Sequence, residues 1–236
     1  MKADPFIGLV MLGTAAFVCG LAVKTVPASI AAREIVNVRR VAYSKDPVSL
    51  AAVDEAIAKA DVVFADCQSD GITGVVDLVT WKADQIDPRE DRDNWILALR
   101  QLEDVSRKAL ACEPTDGMFW ARLAFARWFL GGTAQEQAKL LGYSQSYAPS
   151  EYPVIRARFF QWRRVSPTVI SLARHQVQED IRTVLLYVPL VEAVDLLTGM
   201  PQQLTLMMQE EMRLMPPERF ERLQSVDGAE ELFPRG

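Results

Sequence analysis

The sequence predicts an all-α protein, with an N-terminal membrane-spanning helix followed by a solenoid of helical hairpins. Three observations predict it. Apolar residues recur at helical spacing through most of the chain, with no sustained alternation of the kind a strand needs. One stretch near the N-terminus is long, apolar and uncharged. Breakers such as Asp46-Pro47, Gly131-Gly132 and Pro149 cut the remainder into pieces of helix length. The 236 residues suffice for one sizeable domain with appendages, and the 50% apolar content is globular rather than disordered.

The first element is Pro5 to Val23, PFIGLVMLGTAAFVCGLAV, which carries no charge. As a helix it spans about 28 Å, close to the thickness of a hydrocarbon core. Lys2 and Asp4 precede it and Lys24 closes it. Its length argues against a cleaved signal peptide. The residues Ala16-Phe17-Val18 before Cys19 argue against lipoprotein processing, which wants a small residue directly before the cysteine. The reading is an uncleaved single-pass anchor in the inner membrane, contacting the lipid bilayer through residues 5–23. The flank Lys24, Arg33, Arg39 and Arg40 would hold the C-terminal part in the cytoplasm if the positive-inside rule acts alone. The very short N-terminal tail and the isolated pair Cys67 and Cys112 favour the periplasm instead. The pair is a possible disulfide; two free, buried cysteines would read identically.

Pro27 to Arg40 has helical spacing and is expected to continue from the anchor after a break. Asp46-Pro47-Val48-Ser49 ends that helix, and Ser49 caps LAAVDEAIAKADVVFADC, read as one helix to Cys67. Ser69-Asp70-Gly71 reads as a turn, and Val75–Gln85 as a short helix. DPREDRD (87–93) is a solvated loop and helix start. From Trp95 to Cys112 the sequence is amphipathic, with Leu99, Leu102, Val105, Ala109 and Cys112 on one face. Glu113-Pro114-Thr115-Asp116-Gly117 breaks the chain and offers caps for MFWARLAFARWFL, which Gly131-Gly132 halts. Thr133 caps the next helix, which Pro149 ends; Ser150 opens EYPVIRARFFQWRRV, and Ser166-Pro167-Thr168 starts a longer helix to about Leu186. One or two helices follow past Pro189 and Gly199, ending in MPPERFERLQ before a polar, loose tail.

Ala111-Cys112-Glu113-Pro114 is echoed by Tyr147-Ala148-Pro149 thirty-five residues later, with two helices between. Trp120-x-x-Leu123-Ala124 resembles the first half of a tetratricopeptide motif, and Ala138 followed by Pro149 resembles the second half. Arg127 stands at the tyrosine-like position, and in the next unit Trp162 takes the aromatic place only if Arg158 falls where leucine is expected. The anchor, LACEPTDGMFWARLAFAR and APSEYPVIRARFFQWRRV together resemble accessory proteins of bacterial exopolysaccharide clusters. That resemblance implies an envelope-facing helper in polysaccharide assembly or export, with envelope or polysaccharide-synthesis proteins as partners. The organisation it suggests is an anchor (1–24), a helical linker with first helices (25–89), tetratricopeptide-like hairpins (90–166), C-terminal helices (167–228) and a loose tail (229–236).

A formal charge of −5 repels phosphate backbones and argues against a nucleic-acid partner. One histidine and three cysteines, at spacings that match no ligand pattern, predict no metal site, and no glycine loop predicts a cofactor. His175 and Glu179 share a helical face and read as a surface contact rather than a general base. Glu210-Glu211 and Glu230-Glu231 point apart on a helix, unlike a glycosidase dyad. The reading is therefore non-enzymatic, with an all-helical polysaccharide-modifying enzyme and a cytoplasmic-facing adaptor as alternatives. The candidate binding groove comprises Phe125 and Trp128, with the basic cluster Arg156, Arg158, Arg163 and Arg164; guanidinium forks beside aromatic rings suit an acidic polysaccharide. The arginines are interleaved with Phe159, Phe160 and Trp162; the competing reading is an amphipathic helix that packs those rings inward and pairs the arginines with acids, with Phe125 and Trp128 in the core as well. The methionine-rich segment 204–215 reads as core or as a sticky interface.

Overall fold

The protein is described from a computed structural model, which covers residues 5–44 and 46–232; within that range the side chains of 5–10, 12, 18, 19, 21, 22, 24 and 231 lie outside the description. Every regular element among the described residues is helical. The chain forms two compact units, 1–113 and 114–236, so the boundary falls within the 90–166 span rather than at either end of it.

Unit 1 begins with α1 (Pro5–Ala42), which runs through Pro27 without the expected break. Proline removes one helical hydrogen bond, but Ala28, Ala31, Ala32 and Ile35 are buried directly after it, and that packing continues the helix. Their partner is α4 (Ser69–Asp84), which absorbs the turn predicted at Ser69-Asp70-Gly71. The glycines serve contact rather than turning. A Cβ on Gly71 would stand 2.9 Å from the Ala32 Cβ, and one on Gly74 would stand 2.6 Å from Ile35 Cγ2. The Arg39 Nε donates to Asp77 at 2.6 Å one turn further on, so α1 and α4 run in the same direction.

Between them the single helix expected from Leu50 to Cys67 is two: α2 (Leu50–Ile57), capped by the Ser49 hydroxyl as predicted, and α3 (Ala60–Ala65). The interruption at Ala58-Lys59 lets Val53 and Val63 both reach the core while Lys59 pairs with Glu34. The last helix of the unit, α5 (Arg92–Cys112), is capped by Asp91 and buries Leu99, Leu102, Val105 and Ala109, the face read from the sequence. Cys67 and Cys112 form a disulfide joining the ends of α3 and α5.

The anchor expectation falls on residues 5–23, partly outside the described side chains. Among the described residues no helix is long and apolar enough to cross a membrane. Met11, Phe17 and Val23, which are described, are exposed.

Unit 2 opens with a hairpin. Asp116 accepts from the Met118 and Phe119 amides to start α6 (Gly117–Phe129), and Gly131 turns the chain with φ of 87°. Thr133 then caps α7 (Ala134–Tyr147) as predicted. The two are antiparallel: a Cβ on Gly117, at the start of α6, would lie 2.4 Å from that of Ala148, just past α7. Next comes α8 (Tyr152–Trp162), whose N-cap is Glu151 rather than Ser150. The predicted long helix after Pro167 is broken at Ala173 into α9 (Pro167–Leu172) and α10 (Arg174–Tyr187). Three helices rather than one or two follow: α11 (Leu190–Leu197), α12 (Gln202–Met212) and α13 (Pro217–Gln224). Met207, Met208, Met212 and Met215 are core. The expected loose tail is docked up to Leu232, because Ala229 and Leu232 are buried.

Candidate functional site

The six residues singled out as a groove divide into three groups in unit 2. Arg158 is a core residue. Its Nε and Nη2 hold Asp180 at 2.7 Å each, and its Nη1 donates to the Ser144 carbonyl at 3.1 Å and the Ser144 hydroxyl at 3.2 Å. Both terminal nitrogens also reach the Ala148 carbonyl at 3.1 Å. The Trp162 indole completes the set, donating to Asp180 at 2.9 Å. Both charged side chains are fully buried. Burial pushes the Asp180 carboxyl up from its ordinary value, while Arg158 and then Trp162 pull it back. Arg158 therefore braces the C-terminal end of α7 through the Ser144 and Ala148 carbonyls and cannot bind a ligand.

Arg163 does the same job elsewhere. Its Nη2 donates to the carbonyls of Asp195 at 3.0 Å and Thr198 at 3.1 Å, and to that of Leu196, at the end of α11. Arg219, which the sequence reading did not single out, donates to Leu185 at 2.9 Å and to Val188 at the end of α10. Three arginines thus sit at three helix C-termini, where the helix dipole favours a cation. Burial pushes Arg163 and Arg219 down from the usual guanidinium value.

The remaining candidates stay on the surface. Arg156 lies over the Tyr152 ring at 6.0 Å, away from the others. Phe125, Trp128 and Arg164 do come together, through Phe160, which the sequence reading placed among the rings of the basic cluster, and Phe129, which it did not single out. Phe125 packs edge-on to Phe129 at 5.1 Å and lies 5.9 Å from Phe160; Trp128 is 4.5 Å from Phe129. The Arg164 guanidinium sits 4.0 Å over Phe160, held by a 2.8 Å bond to the Phe160 carbonyl. Phe129 is 38% and Phe160 45% exposed. The expected split of α8 into inward aromatics and outward arginines is thereby reversed in part: Phe159 and Trp162 go in, but so does Arg158, and Phe160 comes out. The result is a rigid four-ring surface with a cation stacked on its edge, worth about 0.5–1 kcal/mol as an exposed cation–π contact.

A second aromatic group lies on α6 and α7. Trp120 meets Tyr143 at 4.7 Å, and Tyr147 stacks on Tyr143 at 6.5 Å. The Trp120 indole is fixed by a 2.8 Å bond to the Pro114 carbonyl.

The His175–Glu179 surface contact does not form as read: Glu179 accepts from Arg182 at 2.6 Å, and Arg182 also holds the buried Glu211 at 2.8 Å. A cleft of about 70 Å³ beside that network is lined by Arg182, Leu185, Leu186, Glu211, Leu214 and Met215. Among the described residues no group of three or more His, Cys, Asp or Glu side chains could hold a metal ion. Compared with protein-family models, curated proteins and solved structures, the chain matches none.

Proposed function

We propose that the protein is a membrane-tethered, non-enzymatic interaction protein that assists exopolysaccharide assembly or export in the bacterial envelope, docking a protein partner on the surface formed by Phe125, Trp128, Phe129, Phe160 and Arg164. That surface carries the reading. Exposed aromatic rings beside an arginine are the side chains that dominate protein interfaces, and rings already packed on one another lose little freedom on binding. The tether is residues 5–23, supported by their uncharged run and by the exposure of Met11, Phe17 and Val23. The hairpin of α6 and α7 carries the tetratricopeptide-like positions, with Leu123, Ala124 and Ala138 buried, and gives the solenoid reading its support.

The Cys67–Cys112 bond supports a periplasmic placement, because disulfides persist in oxidising compartments. The second reading, a cytoplasmic adaptor, is favoured by the basic flank after the apolar run; Arg39 of that flank is engaged by Asp77. C-terminal reporter fusions active on one side of the membrane only decide between the two. The docking reading is tested by pull-down of the detergent-solubilised full chain and its Phe129→Ala/Phe160→Ala variant. Wild type is expected to retain an envelope or polysaccharide-synthesis protein that the variant loses. Recovery of no such component by wild type, or equal recovery by both, refutes it.

A further inference from the structure

The turn after α3 puts a cysteine where helices ordinarily end on glycine. Gln68 donates its amide to the Val63 carbonyl at 3.0 Å, and Cys67 donates to that of Phe64 at 3.2 Å. These are the two bonds of a Schellman cap, which needs a left-handed residue at its centre. Cys67 supplies it with φ of 47°, the one positive φ outside glycine among the described residues. A Cβ makes that conformation costly, so the residue stays there only while something restrains it. The restraint is the bond to Cys112 at the end of α5. Beyond the buried Val63, little else holds α3. It is six residues long, and its N-cap Lys59 makes no side-chain cap bond. Its ion pairs, Lys59 with Glu34 and Asp61 with Lys108, lie at the surface.

We infer that Cys67–Cys112 is a redox latch: a dithiol oxidoreductase reduces it in the folded protein, and reduction frees the C-terminal turn of α3. Exposed or strained disulfides are the ones that exchange with dithiols. Cys67 is exposed and Cys112 half-buried, so the incoming thiolate attacks the Cys67 sulfur. The S–S bond breaks, and the Cys112 sulfur leaves as a thiolate that takes a proton from water. The second thiol of the dithiol then attacks the mixed disulfide and releases Cys67. Two electrons pass to the protein, and the dithiol becomes a disulfide. Both sulfurs lie beside the Phe64 carbonyl oxygen, at 3.7 Å for Cys67 and 3.6 Å for Cys112, so thiols formed there have an acceptor at hand. Once untied, Cys67 relaxes out of the left-handed region and the cap opens. The segment Val62-Val63-Phe64, with Val63 covered in the oxidised protein, then becomes available.

The latch lies in unit 1 and does not depend on the docking surface of unit 2. The test is treatment of the full chain in detergent with dithiothreitol, without denaturant, followed by maleimide thiol counting and hydrogen exchange read by mass spectrometry. Both thiols are expected to appear. Exchange over residues 61–68 is expected to rise about tenfold, while α1 and the middle of α4 and α5 stay within about twofold. Cys67→Ser/Cys112→Ser is expected to reproduce the reduced pattern without reductant. Cys67→Gly/Cys112→Ser, whose glycine takes a left-handed backbone freely, is expected to stay within about threefold of the oxidised protein. A bond that resists dithiothreitol until denaturant is added overturns the inference. So does reduction that leaves residues 61–68 protected, or that opens the whole of unit 1. Equal opening in the serine and glycine variants overturns it too, because the turn then owes nothing to the conformation of Cys67.

Discussion

Replacing Asp180 by alanine leaves Arg158 inside unit 2 with a charge and no counter-ion. The loss can be worked from the contacts. Arg158 Nη1 and Nη2 keep the Ser144 and Ala148 carbonyls, but Arg158 Nε and the Trp162 indole lose the acceptor they share. Two stranded donors cost about 1–3 kcal/mol each. Breaking a buried ion pair from one side is worth about 3–5 kcal/mol, so both routes point to about 4 kcal/mol. For a unit of this size that is a fall of about 15 °C in melting temperature. The assay is thermal unfolding of the detergent-solubilised chain, followed by far-ultraviolet circular dichroism and by tryptophan fluorescence, to which Trp162 is one of five contributors. The double variant Arg158→Leu/Asp180→Leu removes both charges and is expected to recover at least half of the loss, since apolar replacements of buried pairs are often nearly neutral. Its remaining cost comes from the α7 carbonyls and the Trp162 indole. An Asp180→Ala protein melting within about 3 °C of wild type refutes the reasoning, as does a double variant whose loss equals the sum of the singles.

The disulfide closes a loop with a sequence separation of 45. Chain entropy puts its contribution to unit 1 at about 4 kcal/mol, and Cys67→Ser/Cys112→Ser is expected to match reduced wild type in a urea melt. Gly74→Ala places a methyl 2.6 Å from Ile35 Cγ2 and is expected to cost about 1–3 kcal/mol of overpacking, recovered in part by Ile35→Val, with chemical denaturation as the measurement. The Arg89 side chain, then its amide, holds the Asp87 carboxyl down to about 2. Because that value is depressed, its stabilising effect is present above the ordinary carboxylate range and fades as pH falls towards 2. Carboxyl NMR titration is expected to show the Asp87 midpoint raised in Arg89→Ala but still below the ordinary carboxylate value, because alanine keeps the amide bond.

Much of the local structure was legible from residue types alone. The caps at Ser49, Thr133 and Asp116 hold because a side-chain oxygen and a nearby free amide meet within three residues. The buried face of α5 follows from apolar spacing. Misreadings arose where a residue answers to a distant partner. Gly71 carries a turn signal in sequence, yet α1 needs a helix without side chains at Gly71 and Gly74. Of the candidate site, Phe125, Trp128 and Arg164 were identified, but their link through Phe129 and Phe160 was not, because it crosses from α6 to α8. One signal for Arg158 did exist: the repeat register placed an arginine where leucine belongs. A charged residue at a core position requires a buried partner, and Asp180 supplies it.

By itself, then, the sequence determined what depends on neighbours within a turn or two: the all-helical character, several helix starts, the apolar N-terminal run and the inward face of α5. Tertiary structure alone decided which arginines are structural and which are free, where long helices break, and which rings reach the surface together. The division is physical. Hydrogen bonds and periodicity act over a few residues, whereas a buried charge or a close glycine contact is settled by a group many residues away, and no local pattern encodes which one that is.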